Sequence, residues 1–346
     1  MAKRISRRDF LRLAAAGLGA AAGGPLLAAC KGGTTPMTAT TTASGLRRPE
    51  IMQMHPDGPS RVVQTHHAGV WSGNSLQPEA LKQMLDVSIA RLTGLTDTLA
   101  AWQALFAPTE RIAIKVNTLQ FGSFWTHVPL VMAVVERLQA AGVPAEQVVI
   151  YDRLSGDLAG GGFTINRNGP GVRCHGTDQA YTRQWDVLDT RVGLSDVLLS
   201  CDALINMPIL KTHIVDGGGM SFALKNHYGT FDQPSNFHNE RLLTGLPALN
   251  ALAPIRERTR LVIGDALKVV QQNPYAAFEG DSICMSFDPV AHDVQGLQIL
   301  TRLQAANELE SEATRTLATP WLQNAADLGV GTNLADQIDF IEEKLG

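Results

Sequence analysis

What most constrains this chain is a rhythm that begins near residue 61, where short apolar runs rich in β-branched residues alternate with longer segments carrying apolar residues at helical spacing. The short runs are Arg61 to Thr65, Arg111 to Lys115, Gln147 to Tyr151, Ala203 to Asn206, Arg260 to Gly264 and Ser282 to Phe287. Runs of this length are buried strands when helices separate them. The helical segments are Pro78 to Thr93, Pro129 to Ala141 (closed by Gly142), Ser221 to Tyr228, Pro289 to Gln304 and Leu334 to Leu345. Strand and helix in alternation predict an α/β fold: a mostly parallel open sheet with helices on both faces, in a single large domain.

The N-terminus says where such a domain goes. Ser6-Arg7-Arg8-Asp9-Phe10-Leu11 precedes an Ala/Gly/Leu run that ends in Leu27-Ala28-Ala29-Cys30. Paired arginines before a mildly apolar segment are the address of the twin-arginine exporter, which moves folded proteins. Leu27 to Cys30 resembles a lipobox, with Cys30 as the lipidated new N-terminus. A membrane-spanning helix is the competing reading, but the run is short, dominated by Ala and Gly, and interrupted by Pro25, whereas a span needs about 20 strongly apolar residues. Lys31 to Pro49 is rich in Gly, Thr, Ser and Ala and reads as a tether. The expected organisation is a signal peptide over 1–29, a lipidated cysteine and tether over 30–50, and the α/β domain over 51–346. The location is then the periplasm or the outer face of the cytoplasmic membrane, with the lipid and the export machinery as partners.

Charge narrows the partners further. The leader carries five basic residues and one acid, so its removal takes the net charge from −4 to −8. Nucleic acid is excluded, because phosphate-backbone binding needs a basic face. Beyond Cys30 the cysteines are Cys174, Cys201 and Cys284, widely spaced and without C-x-x-C, so no cluster or zinc knuckle is expected. Cys201 and Cys284 lie in apolar runs and read as small buried hydrophobes, with one disulfide as the alternative in an oxidising compartment.

Five strands lead to a short polar residue: Asn117, Asp152, Asn206, Asp265 and Asp288. Ligands of open parallel sheets bind beyond the carboxyl ends of the strands, which would bring these side chains to one crevice. Taken singly, each is explained as a turn former or cap, Asp288-Pro289 most clearly. Their coincidence, with lysines among them, points to a site. The densest stretch is Asn206-Met207-Pro208-Ile209-Leu210-Lys211-Thr212-His213, followed by Gly217-Gly218-Gly219 and Ser221 to Gly229. Glycines opening a helix would let backbone N–H groups approach an anion. Ser221 and Lys225 would share a helical face, and Lys115 and Lys211 would complete a phosphate or carboxylate subsite. Neither the P-loop nor the G-x-G-x-x-G spacing is present, and a Gly triplet alone marks a turn. His213 beside Lys211 is the candidate acid or base. His213, His227 and His238, near Asp216 and Asp232, have no recognised ligand spacing, and each is explained as a loop histidine. A divalent metal would draw on Asp265, Asp288 and Asp293. His66-His67 is a weaker candidate at a strand end. No nucleophile elbow or Cys/His pair occurs, which excludes the ordinary esterase and thiol-protease patterns.

At these residues the chain resembles the bacterial and archaeal family known as domain of unknown function 362, over roughly 60–345. The matching pieces are Ile114-Lys115-Val116-Asn117, Asn206 to His213, Leu224-Lys225-Asn226 with Gly229, Asp288-Pro289-Val290-Ala291-His292-Asp293, and Leu328-Gly329-Val330-Gly331. Val116 stands where the family prefers proline, and the cysteine-rich ferredoxin-like segment of some members is lacking, so no iron–sulfur cluster is expected. The resemblance implies an α/β fold and a shared polar site. The resulting expectation is an envelope protein that binds a small anion, with or without a divalent metal, as a hydrolase or transferase. Lys211 and His213 would carry the chemistry, and Lys115, Asn117, Asn206, Thr212, Ser221, Lys225 and Asn226 would bind. The alternative is a lipoprotein that binds a solute or metal without turnover.

Overall fold

In the computed structural model, which describes residues 58–119, 125–213, 217–272 and 275–346, the alternation resolves into a ten-stranded mixed sheet. The main strands are β1 (Ser60–His67), β2 (Ile112–Val116), β3 (Val148–Tyr151), β4 (Arg173–Cys174), a separate hairpin β5 (Arg183–Val187) and β6 (Thr190–Leu194), then β7 (Ala203–Met207), β8 (Ile209–His213), β9 (Gly219–Ser221), β10 (Thr259–Gln272), β11 (Tyr275–Ser286) and β12 (Ile338–Leu345). The helices are α1 (Pro78–Thr93), α2 (Thr98–Leu105), α3 (Val128–Ala140), α4 (Ser155–Gly160), α5 (Ala223–Asn226), α6 (Leu242–Ala251), α7 (Pro289–Ala306) and α8 (Glu312–Asp327). Strand order is β12-β1-β11-β10-β7-β2-β3-β4, with β8 adding to β10 and β9 to β8. The strands from β10 to β4 along this path run parallel, whereas β11 is antiparallel to both β1 and β10. The expected mostly parallel open sheet with helices around it is therefore present, and the described residues form one compact unit.

Local chemistry explains the best-defined elements. β2 and β7 lie mid-sheet and bury every residue, as strands covered on both faces must. α1 begins at Pro78, buries Leu81, Met84, Leu85, Ile89 and Leu92 along one stripe, and stops at Gly94, whose φ of 74° lets its N–H reach Ala90 O. Two separate apolar clusters result, one on each sheet face: one holds Leu81, Met84, Trp102, Ile114 and Val134, and the other holds Phe222, Leu246, Leu300 and Trp321. None of the described helices is long and apolar enough to cross a membrane. Cys174, Cys201 and Cys284 are buried and free, and burial pushes the first two thiols up to about 11 and about 12.

Three expectations are corrected. Leu334 to Leu345 is not a helix: after a short 3-10 turn it becomes β12, parallel to β1, and Arg61 and Arg91 hold Asp339 and Glu343 at 2.7 and 2.6 Å. Pairing with β1 overrides the helix preference of the Glu-Glu-Lys run, and the same charges blunt a sheet edge. Ser221 to Tyr228 is not one helix either, because Ser221 closes β9, α5 is a single turn, and a 3-10 segment takes over at His227. Finally, the strands expected to end at Gly264 and to begin at Ser282 are the outer halves of a long hairpin, so Asp265 lies within β10.

Candidate functional site

The parallel strands deliver their carboxyl ends to one cavity of about 680 Å³. Its wall includes Asn117 after β2, Asp152 and Arg153 after β3, Asp157 of α4, Lys211 and His213 of β8, Ser221 of β9, and Lys225 of α5. Tyr228, Gly229, Asp232 to Ser235, His238, Gln272 and Tyr275 complete it. Of the proposed site residues, this brings together Asn117, Lys211, His213, Ser221 and Lys225. Lys211 and His213 are two apart on β8 and so share a strand face, and Ser221 pairs with Lys211 across β8 and β9.

Lys115, Asn206 and Asn226 form a buried floor under that wall. Lys115 Nζ donates to Asp152 Oδ1 at 2.7 Å, to Val116 O at 2.6 Å and to Asn226 Oδ1 at 3.3 Å. Asp152 Oδ2 accepts from the N–H and hydroxyl of Thr118 at 2.7 and 2.8 Å, and its Oδ1 also accepts from Arg153 N–H. Asn226 Nδ2 donates to Asn206 Oδ1 at 2.6 Å, and Asn206 Nδ2 donates to Ala223 O. Burial lowers the Lys115 pKa despite the opposing Asp152 charge. Gly229 is required here, since a Cβ at that position would lie 2.2 Å from Asp152 Oδ1 and 2.6 Å from Lys115 Nζ. Thr212 turns away: it is fully buried, and its hydroxyl accepts from Gln272 N–H.

Lys211 contrasts with Lys115. Its side chain is 3% exposed, and its ammonium donates to the neutral Asn117 Oδ1 at 2.8 Å. Among the described residues no carboxylate forms an ion pair with it. Burial, followed by the nearby Lys225 charge, brings its pKa down to about 8, with Asp152 opposing and Lys115 adding to the fall. Lys225 Nζ stands 4.2 Å from the centroid of the Tyr228 ring, which in turn stacks on His238 at 5.4 Å.

The tentative metal carboxylates do not meet. Asp288 caps α7, accepting from Val290 and Ala291 N–H, from the Ser60 hydroxyl at 2.7 Å and from Thr332 N–H at 2.9 Å. It lies at the end of the sheet opposite the carboxyl ends of the parallel strands, because it follows β11, which runs against both of its neighbours. Asp293 accepts from Ala223 and Leu224 N–H at 2.7 and 3.0 Å. The backbone donors expected to cradle a ligand anion are thus already bound to a carboxylate of α7. Asp265 Oδ2 accepts from His127 N–H at 2.8 Å and lies 2.8 Å from His127 Nδ1. His127 had no sequence signal beyond its place before the helix start at Val128-Pro129. Burial disfavours its imidazolium, but the charge and hydrogen bond of Asp265 outweigh this and raise its pKa. Among the described residues, no three His, Cys, Asp or Glu side chains are grouped to hold a metal ion. His227 is buried against Thr230 and Asn206, and His66 and His67 face Glu342 and Gln83. Asp216, like Arg7, Arg8 and Cys30, lies outside the described residues.

Fold and cavity define an α/β protein with a lysine-walled polar site at the carboxyl ends of parallel strands. The sequence pattern described as Domain of unknown function (DUF362) matches residues 112–298, and the chain belongs to that family. The match spans β2 to the middle of α7, including all three lysine-bearing motifs. Two solved structures are similar at low identity. The lactate racemase apoprotein from Thermoanaerobacterium thermosaccharolyticum is 9% identical with a TM-score of 0.43, covering 71% of this chain and 58% of that one. A structural-genomics protein from Thermotoga maritima is 13% identical with a TM-score of 0.39, covering 69% and 61%. The chain therefore spans about three fifths of the length of each. Comparison with curated proteins finds no match.

Proposed function

We propose that this protein is an exported, lipid-anchored component of the cell envelope that binds a small carboxylate or phosphate in the lysine-walled cavity, with His213 as acid or base. The observation that carries the reading is Lys211, a nearly buried cation on the cavity wall whose hydrogen bond goes to a neutral amide. A buried charge without a counter-ion is unfavourable, and an anion entering the cavity relieves that penalty. Lys225 on the same wall adds to the attraction, and Lys115, paired with Asp152, contributes at longer range. The Asp157 and Asp232 carboxylates also line the cavity and favour ligands small enough to sit against the lysines. The lysines supply positive charge for the anion.

Calorimetric titration of the full chain with inorganic phosphate and with a panel of small mono- and dicarboxylates tests the reading. Lys211→Met and Lys225→Met are each expected to weaken the best ligand at least about tenfold, equivalent to about 1.4 kcal/mol. Affinity unchanged in both variants, or no binding of any member of the panel by the parent protein, would overturn it.

A further inference from the structure

We propose that Lys211 is a nucleophile that condenses with the ketone carbon of a 2-oxo acid whose carboxylate is held by Lys225. This rests on the reading of the cavity as an anion site and narrows it to carboxylates bearing an adjacent carbonyl.

Two lysines on the wall of one cavity do different work if one of them can lose its proton. Lys211 is placed for that. Its side chain is buried to within 3% of full enclosure, its amine donates to the amide oxygen of Asn117, and the competing charge of Lys225 is close enough to disfavour a second cation. Its pKa is brought down to about 8 from 10.5, so near neutral pH it releases its proton more readily than an ordinary lysine. Desolvation beside another cation is a general route to a nucleophilic lysine. Lys115 is unsuited to the role, because it is closed into the floor by Asp152, Val116 O and Asn226 and does not reach the cavity wall. Lys225 lines the same cavity and keeps its amine against the face of Tyr228, a contact that favours the charged form.

The step balances without an oxidant or reductant. The lone pair of Lys211 Nζ forms a bond to the carbonyl carbon, and the carbonyl π pair moves to oxygen. That oxygen takes one proton from the nitrogen and a second from His213 acting as the general acid, then leaves as water. The product is a protonated C=N bond between Lys211 and the acid. Asn117 accepts an N–H of the attacking amine and orients its lone pair, and His213 lies on the same face of β8 two residues along.

The full chain is incubated with pyruvate or 2-oxoglutarate, treated with sodium cyanoborohydride to reduce any C=N bond, digested and mapped by peptide mass spectrometry, with calorimetry of the same acids in parallel. The expected result is a reduced adduct on the Lys211 peptide that saturates with acid concentration. It should exceed modification of the exposed Lys344 at least tenfold and be lost in Lys211→Arg, which keeps the charge and binds the acid. Lys225→Met should lower labelling of Lys211 by a similar factor. Binding without an adduct, or labelling spread evenly over surface lysines, overturns the nucleophile and leaves the anion site standing. Failure to bind either oxo acid while phosphate or another carboxylate binds rejects this substrate class. Failure to bind any anion rejects both readings, and thermal melts of Lys211→Arg establish that loss of labelling is not loss of fold.

Discussion

Cutting the Lys115–Asp152 pair from either side should give unequal losses. Asp152→Asn leaves an ammonium with 0% side-chain exposure whose remaining acceptors, Val116 O and Asn226 Oδ1, are both neutral. Burial already lowers the pKa of Lys115 with its carboxylate in place. Removing one partner of a buried pair costs about 3–5 kcal/mol when the charge left behind is uncompensated. Lys115→Met leaves Asp152 with three donors, the Thr118 N–H, the Thr118 hydroxyl and the Arg153 N–H, which satisfy much of its charge. Its cost should be smaller, about 2–3 kcal/mol, near the price of an interrupted charged hydrogen bond. The double variant should be no worse than Asp152→Asn, giving a coupling of about 2–3 kcal/mol. Urea unfolding of the full chain, read as the shift in midpoint at constant slope, measures all three. Equal losses from the two single variants, or losses that add in the double, would refute the account of Asp152 as a carboxylate held by three other donors and of Lys115 as the dependent partner.

Two further outcomes follow from the same geometry, and a third from the N-terminal sequence. Lys211 has a depressed pKa in the folded state, so between pH 8 and 10.5 the unfolded chain binds more protons and the stability contributed at this position rises with pH, by about 3 kcal/mol across the window. Denaturation of the parent protein and Lys211→Met at pH 7 and pH 10 should show that difference, and parallel slopes would contradict it. Asp293→Ala removes acceptors from two N–H groups in the buried α5 turn and should cost about 2–3 kcal/mol in thermal or chemical unfolding. A loss under 0.5 kcal/mol would show that α5 does not depend on that cap. At the N-terminus, Arg7→Lys with Arg8→Lys should leave the precursor in the cytoplasm on cell fractionation, and Cys30→Ala should abolish incorporation of radiolabelled fatty acid; label retained in Cys30→Ala rejects the lipid anchor.

The elements that could be read along the chain are those whose signals are local. α1 has its proline start, its apolar stripe and its glycine stop within one stretch, and its expected limits match the structure. The central strands declare themselves as short runs that are apolar apart from Lys115 and Asn206, because both faces are covered. β12 could not be read that way, since it is half-buried and charged and becomes a strand only beside β1. α8, whose Trp321 Nε1 donates to Gly218 O behind the cavity wall, has an interrupted pattern with Pro320 inside it and was not anticipated. Within the site, the Asn206 to His213 stretch was legible because Lys211 and His213 alternate on one face of a short strand. The separate placements of Asp265, Asp288 and Asp293 could not be read along the chain, because an acid after a strand or in a helix looks the same whether it waits for a ligand or caps a backbone.

By itself the sequence determined the alternation of strand and helix, the parallel core, the family, and the lysines and histidine that stand at the cavity. These depend on periodicity and on residues near one another in the chain, where burial and hydrogen-bonding needs are already written. Only the tertiary structure decided that β11 runs backwards and carries Asp288 away from the cavity, that Asp293 occupies the N–H groups of α5, and that among the described residues Lys115 has a carboxylate partner while Lys211 has an amide. Each of those outcomes depends on partners far apart in the chain. An ammonium is governed by the charges packed around it, and those are brought together only when the strands that carry them align.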